Sequence, residues 1–295
     1  MPYLYAHALH GLSAQAMFDK PLLDITSAHA DAFLLGLYGP DVYFGDRLPP
    51  PPFAKHQKAL ANDLHGLDAG VLFRALFALT YRDDRAFAYA VGFLCHFVLD
   101  STLHPYIESR ATGSDHTRYE MRMDLLVRNR ANDERLNVPP TALYHTDTAL
   151  RLADTLHTLL FKELFAKNTD GVYRRSYRKW QRVQQLVYDP TGWKLRLLKA
   201  YDRLTEHEGR AAGFLLTVDP EDTRDLFNES HDKWCAPWDI ASVSTESYFD
   251  LFDSAVLDAS AIANSAFKER DYGIFDDAIA IIGHRCMNGT TSFSG

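Results

Sequence analysis

Apolar positions along this chain recur mostly with a helical period, and sustained alternation in twos is absent. No Asn-Gly hairpin joins two apolar runs either, so an all-α fold is expected. Residues 26–37 (TSAHADAFLLGL) predict a helix ending near Gly36 or Gly39, with Pro40 just beyond it. GPD at 39–41 then reads as a turn presenting Asp41. The segment GDRLPPPPF (45–53) predicts a stiff extended loop, because consecutive prolines cannot continue a helix. A second helical stretch covers 56–80, broken around Gly66 and Gly70. Residues 84–104 are apolar nearly all round, the mark of a helix enclosed by others, with Asp83 or Asp84 as N-cap and Pro105 helping to stop it. After a polar loop, 116–130 form another helix, capped by Ser114 or Asp115. Further helices are expected over 141–168, 172–188, 193–215 and 245–270. NVPP at 137–140 is a candidate boundary, but no shift in composition accompanies it, and no repeat is visible. The expectation is one all-helical domain over 1–295.

Composition adds limits. At 46% hydrophobic and 13% aromatic, the chain can bury a large core. A net charge of −8 argues against broad affinity for nucleic acid or an anionic membrane, without excluding a local basic pocket. Cys95, Cys235 and Cys286 are too scattered for a disulfide framework, and Cys95 reads as a small core residue. MPYLYAHALHG lacks a basic segment followed by an apolar one, and no uncharged apolar run reaches about 18 residues. A soluble, cytoplasmic chain with no transmembrane segment is therefore expected. The 13 histidines are the oddity, and several stand beside acidic residues near position 100.

Groups four residues apart on a helix lie one above the other on one face. His96 and Asp100 have that spacing, His104 continues the series, and His116 and Glu120 repeat it. Such pairs grip one cation without backbone distortion, and zinc accepts imidazole nitrogen and carboxylate oxygen. A carboxylate such as Asp100 can bridge two ions about 3.5–4 Å apart. The plainer reading is a structural His–Asp hydrogen-bond network. Against it, an ionised Asp rarely sits in a run as apolar as GFLCHFVLDSTL without a counter-charge.

The segments AHALHG (6–11), FLLGLYGPD (33–41), LANDLH (60–65), GFLCHFVLDSTLHPY (92–106) and HTRYE (116–120) resemble the zinc-dependent phospholipase C family, its signal-less bacterial branch in particular. Their order is also that of the wider superfamily that includes P1/S1-type nucleases. A weaker similarity lies at 228–255. The resemblance implies two or three zinc ions. Asp41, His65, His96 and Asp100 would hold one; His104, His116 and Glu120 a second; His7, sharing Asp100, a third. Asp41 is the implied catalytic residue, orienting or deprotonating the attacking water.

The chain departs from that pattern in places. Secreted members close the third site with an N-terminal tryptophan, whereas this chain begins Met-Pro. His104 follows Asp100 by four residues, a shorter gap than theirs, although HPY matches the signal-less branch. His56 competes with His65, which LANDLH favours, and His10 competes with His7, which AHxxxG favours. The basic and aromatic residues of GVYRRSYRKWQRVQQ (171–185) read as a solvated helix face, with phosphate steering or base stacking as the sharper alternative. His231 reads as structural; His29, His145, His157, His207 and His284 stay unassigned.

The expected activity is metal-assisted hydrolysis of a phosphodiester or phosphomonoester, with a small phosphoester or a phospholipid headgroup as substrate. An acidic chain without a visible membrane-docking helix is an awkward phospholipase, so nucleotides or single-stranded nucleic acid, as substrate only, are the alternative. A non-catalytic zinc-binding scaffold is the rival from another class. Nothing in the pattern sets the oligomeric state.

Overall fold

The computed structural model describes residues 4–47, 54–111, 114–131, 146–189, 191–205, 215 and 225–290. Helices dominate, as the apolar periodicity predicts. In chain order they are α1 (Leu4–Gln15), α2 (Lys20–Ala28), α3 (Ala30–Gly36), a 3₁₀ segment (Gly39–Arg47), α4 (Ala54–His65), α5 (Ala69–Thr80), α6 (Asp84–Arg110) and α7 (Ser114–Ala131). α8 (Asp147–Phe165), α9 (Val172–Val187), α10 (Trp193–Thr205), α11 (Tyr248–Glu269) and α12 (Asp276–Ile282) follow.

α6 is the axis of the core. Asp83 caps it, accepting the Ala86 N–H at 2.7 Å. By length and composition α6 could cross a membrane, yet 94% of its apolar window is buried inside the protein, so it is a core helix. Phe93, Leu94, Phe97 and Val98 are fully buried, each worth about 1.5–3 kcal/mol of transfer free energy. α3 crosses α6 at very short range through Gly36 and Gly92. A Cβ on Gly92 would lie 2.0 Å from the Phe33 carbonyl oxygen, and one on Gly36 would lie 2.3 Å from that of Tyr89. Only glycine permits this approach, and it brings the turn after α3 onto the middle of α6.

Several boundaries differ from expectation. The helix predicted over 26–37 is two, broken at His29, where φ −117° and ψ 41° leave the helical region. Pro105 does not end α6, which continues to Arg110. The turn beyond the proline carries Tyr106 and Ile107, both buried, and Tyr106 donates to the Leu226 carbonyl at 2.7 Å. That packing outweighs the lost backbone hydrogen bond. Gly45–Arg47 close the 3₁₀ segment rather than opening an extended loop; 48–53 and 137–140 lie outside the described residues. The break in 56–80 falls at 66–68, with Asp68 capping α5 and Gly70 inside it. A largely exposed hairpin, β1 (Trp234–Ala236) and β2 (Asp239–Ser244), was not expected. Its bulge between Cys235 and Ala236 breaks the alternation that would have marked it.

The 3₁₀ segment is anchored by a buried histidine. His157 Nδ1 is 3.0 Å from the Tyr43 hydroxyl and Nε2 is 2.8 Å from that of Tyr89, so one nitrogen donates and the other accepts. Phe93 stacks on the ring with planes 4° apart. Burial holds the His157 pKa down at about 3.

Two outcomes are expected. Gly92→Ala must push α3 and α6 apart and costs about 2–3 kcal/mol in chemical denaturation, and unchanged stability would refute the tight crossing. His157 stays neutral in the folded chain while the unfolded chain protonates it below about 6.5, so stability falls as pH falls. Chelator-treated protein should lose about 2 kcal/mol through this group between pH 7.5 and 5, and His157→Gln should show a shallower decline. Equal slopes would remove His157 as the cause.

Candidate metal centre

The i, i+4 spacing on α6 places His96, Asp100 and His104 in one stripe facing α1, α4, α7 and the 3₁₀ segment. Three imidazoles are oriented by backbone carbonyls. His96 Nδ1 donates to Leu37 at 3.0 Å, His65 Nδ1 to Ala61 at 2.8 Å and His104 Nδ1 to Asp100 at 2.9 Å. With Nδ1 committed as donor, each ring turns Nε2 toward the carboxylates.

Two clusters result. Asp41, His65, His96 and Asp100 place their ligand atoms within 4.8 Å of one another, and so do His104, His116 and Glu120. In the first, His65 Nε2 lies 3.2 Å from Asp41 Oδ1 and 3.8 Å from Asp100 Oδ2, and His96 Nε2 lies 3.3 Å from the same Asp100 oxygen. In the second, His104 Nε2 is 3.9 Å from Glu120 Oε1, and His116 Nε2 contacts that oxygen directly. His7 approaches Asp100 from the other side, Nε2 to Oδ1 at 3.2 Å, with its ring stacked on His96 at 4.1 Å. Asp100 thus shows one oxygen to the first cluster and the other to His7.

A glycine again makes the approach possible. Gly39 has φ +49°, and a Cβ there would sit 2.4 Å from the His96 ring. The GPD turn can therefore lay Asp41 against α6 only with Gly at its first position.

The electrostatics ask for a cation. Burial would raise the Asp41 pKa, but the His65 hydrogen bond and His96 charge hold it down at about 2. Burial likewise opposes ionisation of Asp100, and the charges of His96 and His104 hold it well below the usual range. His96 Nε2 is buried with no hydrogen-bond partner. A lone pair and ionised oxygens facing one another at 3.3–4.0 Å repel unless a proton or a metal ion lies between them. A proton serves one pair; a metal ion serves all four groups. The donor set of imidazole nitrogens and carboxylate oxygens fits zinc.

His10, the rival of His7, is packed edge-on against Phe252 and pushed by burial to about 3, so it is a core residue. Position 56 stands nine residues before His65, half a turn around α4, and its side chain lies outside the described residues. His145 and His207 also lie outside them. His231 donates to the Thr245 carbonyl at 3.0 Å, and His284 pairs with Asp68 at 2.9 Å. The Cys95 thiol is buried and pushed up to about 12.

Sequence reasoning missed two acids, although the signal was present. Each ligand stripe continues by four more residues: His96, Asp100 and His104 reach Glu108, while His116 and Glu120 reach Asp124. Glu108 Oε1 lies 3.1 Å from His116 Nδ1, an ion-pair contact on the far side of that ring from Glu120. Asp124 accepts the backbone N–H groups of Tyr5 and Ala6 at 3.2 and 2.7 Å, tying down the start of α1 just before His7. The aromatic residues of 171–185 face inward: Tyr173, Tyr177 and Trp180 are buried, with Trp180 against Tyr38 at 5.0 Å. They are not a base-stacking platform.

A family model described as zinc dependent phospholipase C matches residues 3–179. The chain belongs to this family. The matched stretch contains both clusters, His7 and the His157 network, and the all-helical architecture is consistent with membership. No curated protein and no solved structure matched the chain.

If Asp100 joins two ions of this phospholipase C family centre, Asp100→Asn should lower the metal content of protein purified without added metal by at least one ion per chain. Elemental analysis reads this directly. Full zinc occupancy in the variant would refute the bridging role.

Proposed function

We propose that this chain is a zinc-dependent phosphoesterase, hydrolysing a phosphodiester or phosphomonoester at a centre of two or three zinc ions. The observation that supports it best is Asp100, a buried carboxylate whose two oxygens face different histidines. That arrangement suits adjacent ions, and adjacent ions suit phosphoryl chemistry better than a structural role, for which one closed site suffices. Asp41, His65, His96 and Asp100 would hold one ion, His104, His116 and Glu120 a second, and His7 with Asp100 a third. When bound, zinc lowers the pKa of a bound water to about 7 and offsets charge on the phosphoryl oxygens.

The chain's own groups supply the orientation. Asp41, held ionised beside His65, is an acceptor, so it aligns a water proton and fixes the direction of attack. Glu108 places negative charge beside His116, and Asp124 holds α1 so that His7 meets Asp100. Family membership favours a phospholipid headgroup ester as substrate. Burial of Tyr173, Tyr177 and Trp180 weighs against single-stranded nucleic acid.

The zinc-loaded chain should hydrolyse a bis-aryl phosphate, lose that activity to a chelator and regain it with zinc. Asp41→Asn should lower the rate by roughly 10²-fold or more. A chain that holds one zinc tightly and turns over no phosphoester would be a scaffold, and the proposal would fail.

A further inference from the structure

We propose that the corner formed by α9 and α10 is a docking surface for an anionic lipid membrane. The inference stands on surface chemistry alone and does not depend on the metal centre. Residues 171–205 hold nine Lys or Arg against two Asp, in a chain whose totals are 31 against 39. This stretch is thus net basic, while the remainder of the chain is strongly acidic. On α9, Arg175, Arg178 and Arg182 are exposed on one face, opposite the buried Tyr173, Tyr177 and Trp180.

α10 adds an apolar stripe. Trp193, Leu197 and Tyr201 follow one another at four-residue spacing and are 51%, 60% and 56% exposed. Leu186, at the end of α9, is 63% exposed. Among the side chains described on α10, Leu195 alone is buried. The turn between the two helices is tied by hydrogen bonds on both sides. Lys194 donates to the carbonyls of Leu186 and Tyr188 at 2.7 and 2.9 Å, closing the C-terminus of α9. Asp189 accepts the Leu195 N–H at 2.9 Å, capping α10.

A helix with Trp, Leu and Tyr outward and Lys or Arg beside them matches the lipid interface. The apolar side chains enter the acyl boundary, and the cations meet anionic headgroups. Nucleic acid would use the cations and the aromatic rings but gain nothing from Leu186 and Leu197. A second copy of the chain would oppose basic surface to basic surface. The charge therefore selects an anionic lipid layer. This reverses the expectation, drawn from net charge and helix pattern, that the chain has no membrane-docking element.

The test is co-sedimentation of the zinc-loaded full chain with vesicles of phosphatidylcholine, with or without phosphatidylglycerol. Binding should require phosphatidylglycerol and weaken as salt rises. The double variant Arg178→Gln, Arg182→Gln should bind about 25-fold more weakly, two contacts at about fivefold each. Trp193→Ser with Leu197→Ser should abolish binding while leaving circular dichroism and phosphoesterase activity unchanged, since both residues are exposed and outside the metal centre. The vesicle-induced blue shift of tryptophan emission should disappear in Trp193→Phe. Three results would each overturn the proposal: no binding to anionic vesicles, binding unaffected by the serine double variant, or tighter binding to single-stranded DNA. So would a dimer that the same serine substitutions convert to a monomer without vesicle binding.

Discussion

Three carboxylates, Asp41, Asp100 and Glu120, are buried among helices with at most 5% of each residue exposed. An ionised carboxylate out of water costs several kcal/mol unless positive charge and hydrogen bonds offset it. Charge on the facing histidines holds Asp41 and Asp100 ionised, but each protonated ring answers one carboxylate at a time. Cations shared by several of these groups would close the balance, and the architecture gathers the candidate ligands in one place. Metal binding at these clusters would also be linked to folding, because the unfolded chain has no preformed site.

Each neighbouring element answers this demand differently. α3 and α6 cross at two glycines, and the distance saved there lets Gly39 rest on the His96 ring. The 3₁₀ segment carrying Asp41 is then held from behind, by Trp180 of α9 against Tyr38 and by His157 of α8 bonded to Tyr43. α7 brings Glu120 in and holds α1 through Asp124. Of the acids outside the clusters, Glu108 lies beside His116 and Asp124 holds the start of α1. A metal site loose by an ångström loses much of its selectivity, so this outer layer matters as much as the ligands.

What the sequence revealed follows from what a linear pattern encodes. His96, Asp100, His104, His116 and Glu120 were legible because helical spacing alone brings them onto two faces, and their residue types are rare in apolar runs. Asp41, His65 and His7 became legible only through family resemblance, since their positions depend on turns and crossings between distant segments. His157 showed no partner at ligand spacing because its partners, Tyr43 and Tyr89, come from other elements. Pro105 misled because local propensity was weighed without the burial of Tyr106 and Ile107. The hairpin was hidden by its short, bulged strands.

The α9–α10 surface shows the same limit from the other direction. Periodicity identifies a helix with one apolar face, but not whether that face meets protein or something else. On α9 the aromatic face turns inward, so the pattern that suggested stacking is core packing. On α10 a stripe of similar composition, Trp193, Leu197 and Tyr201, turns outward. Net charge hid the contrast, because an acidic total averages over a basic corner. Exposure is a property of the whole fold. It separates α9, whose aromatic face is buried, from α10, whose apolar stripe is exposed.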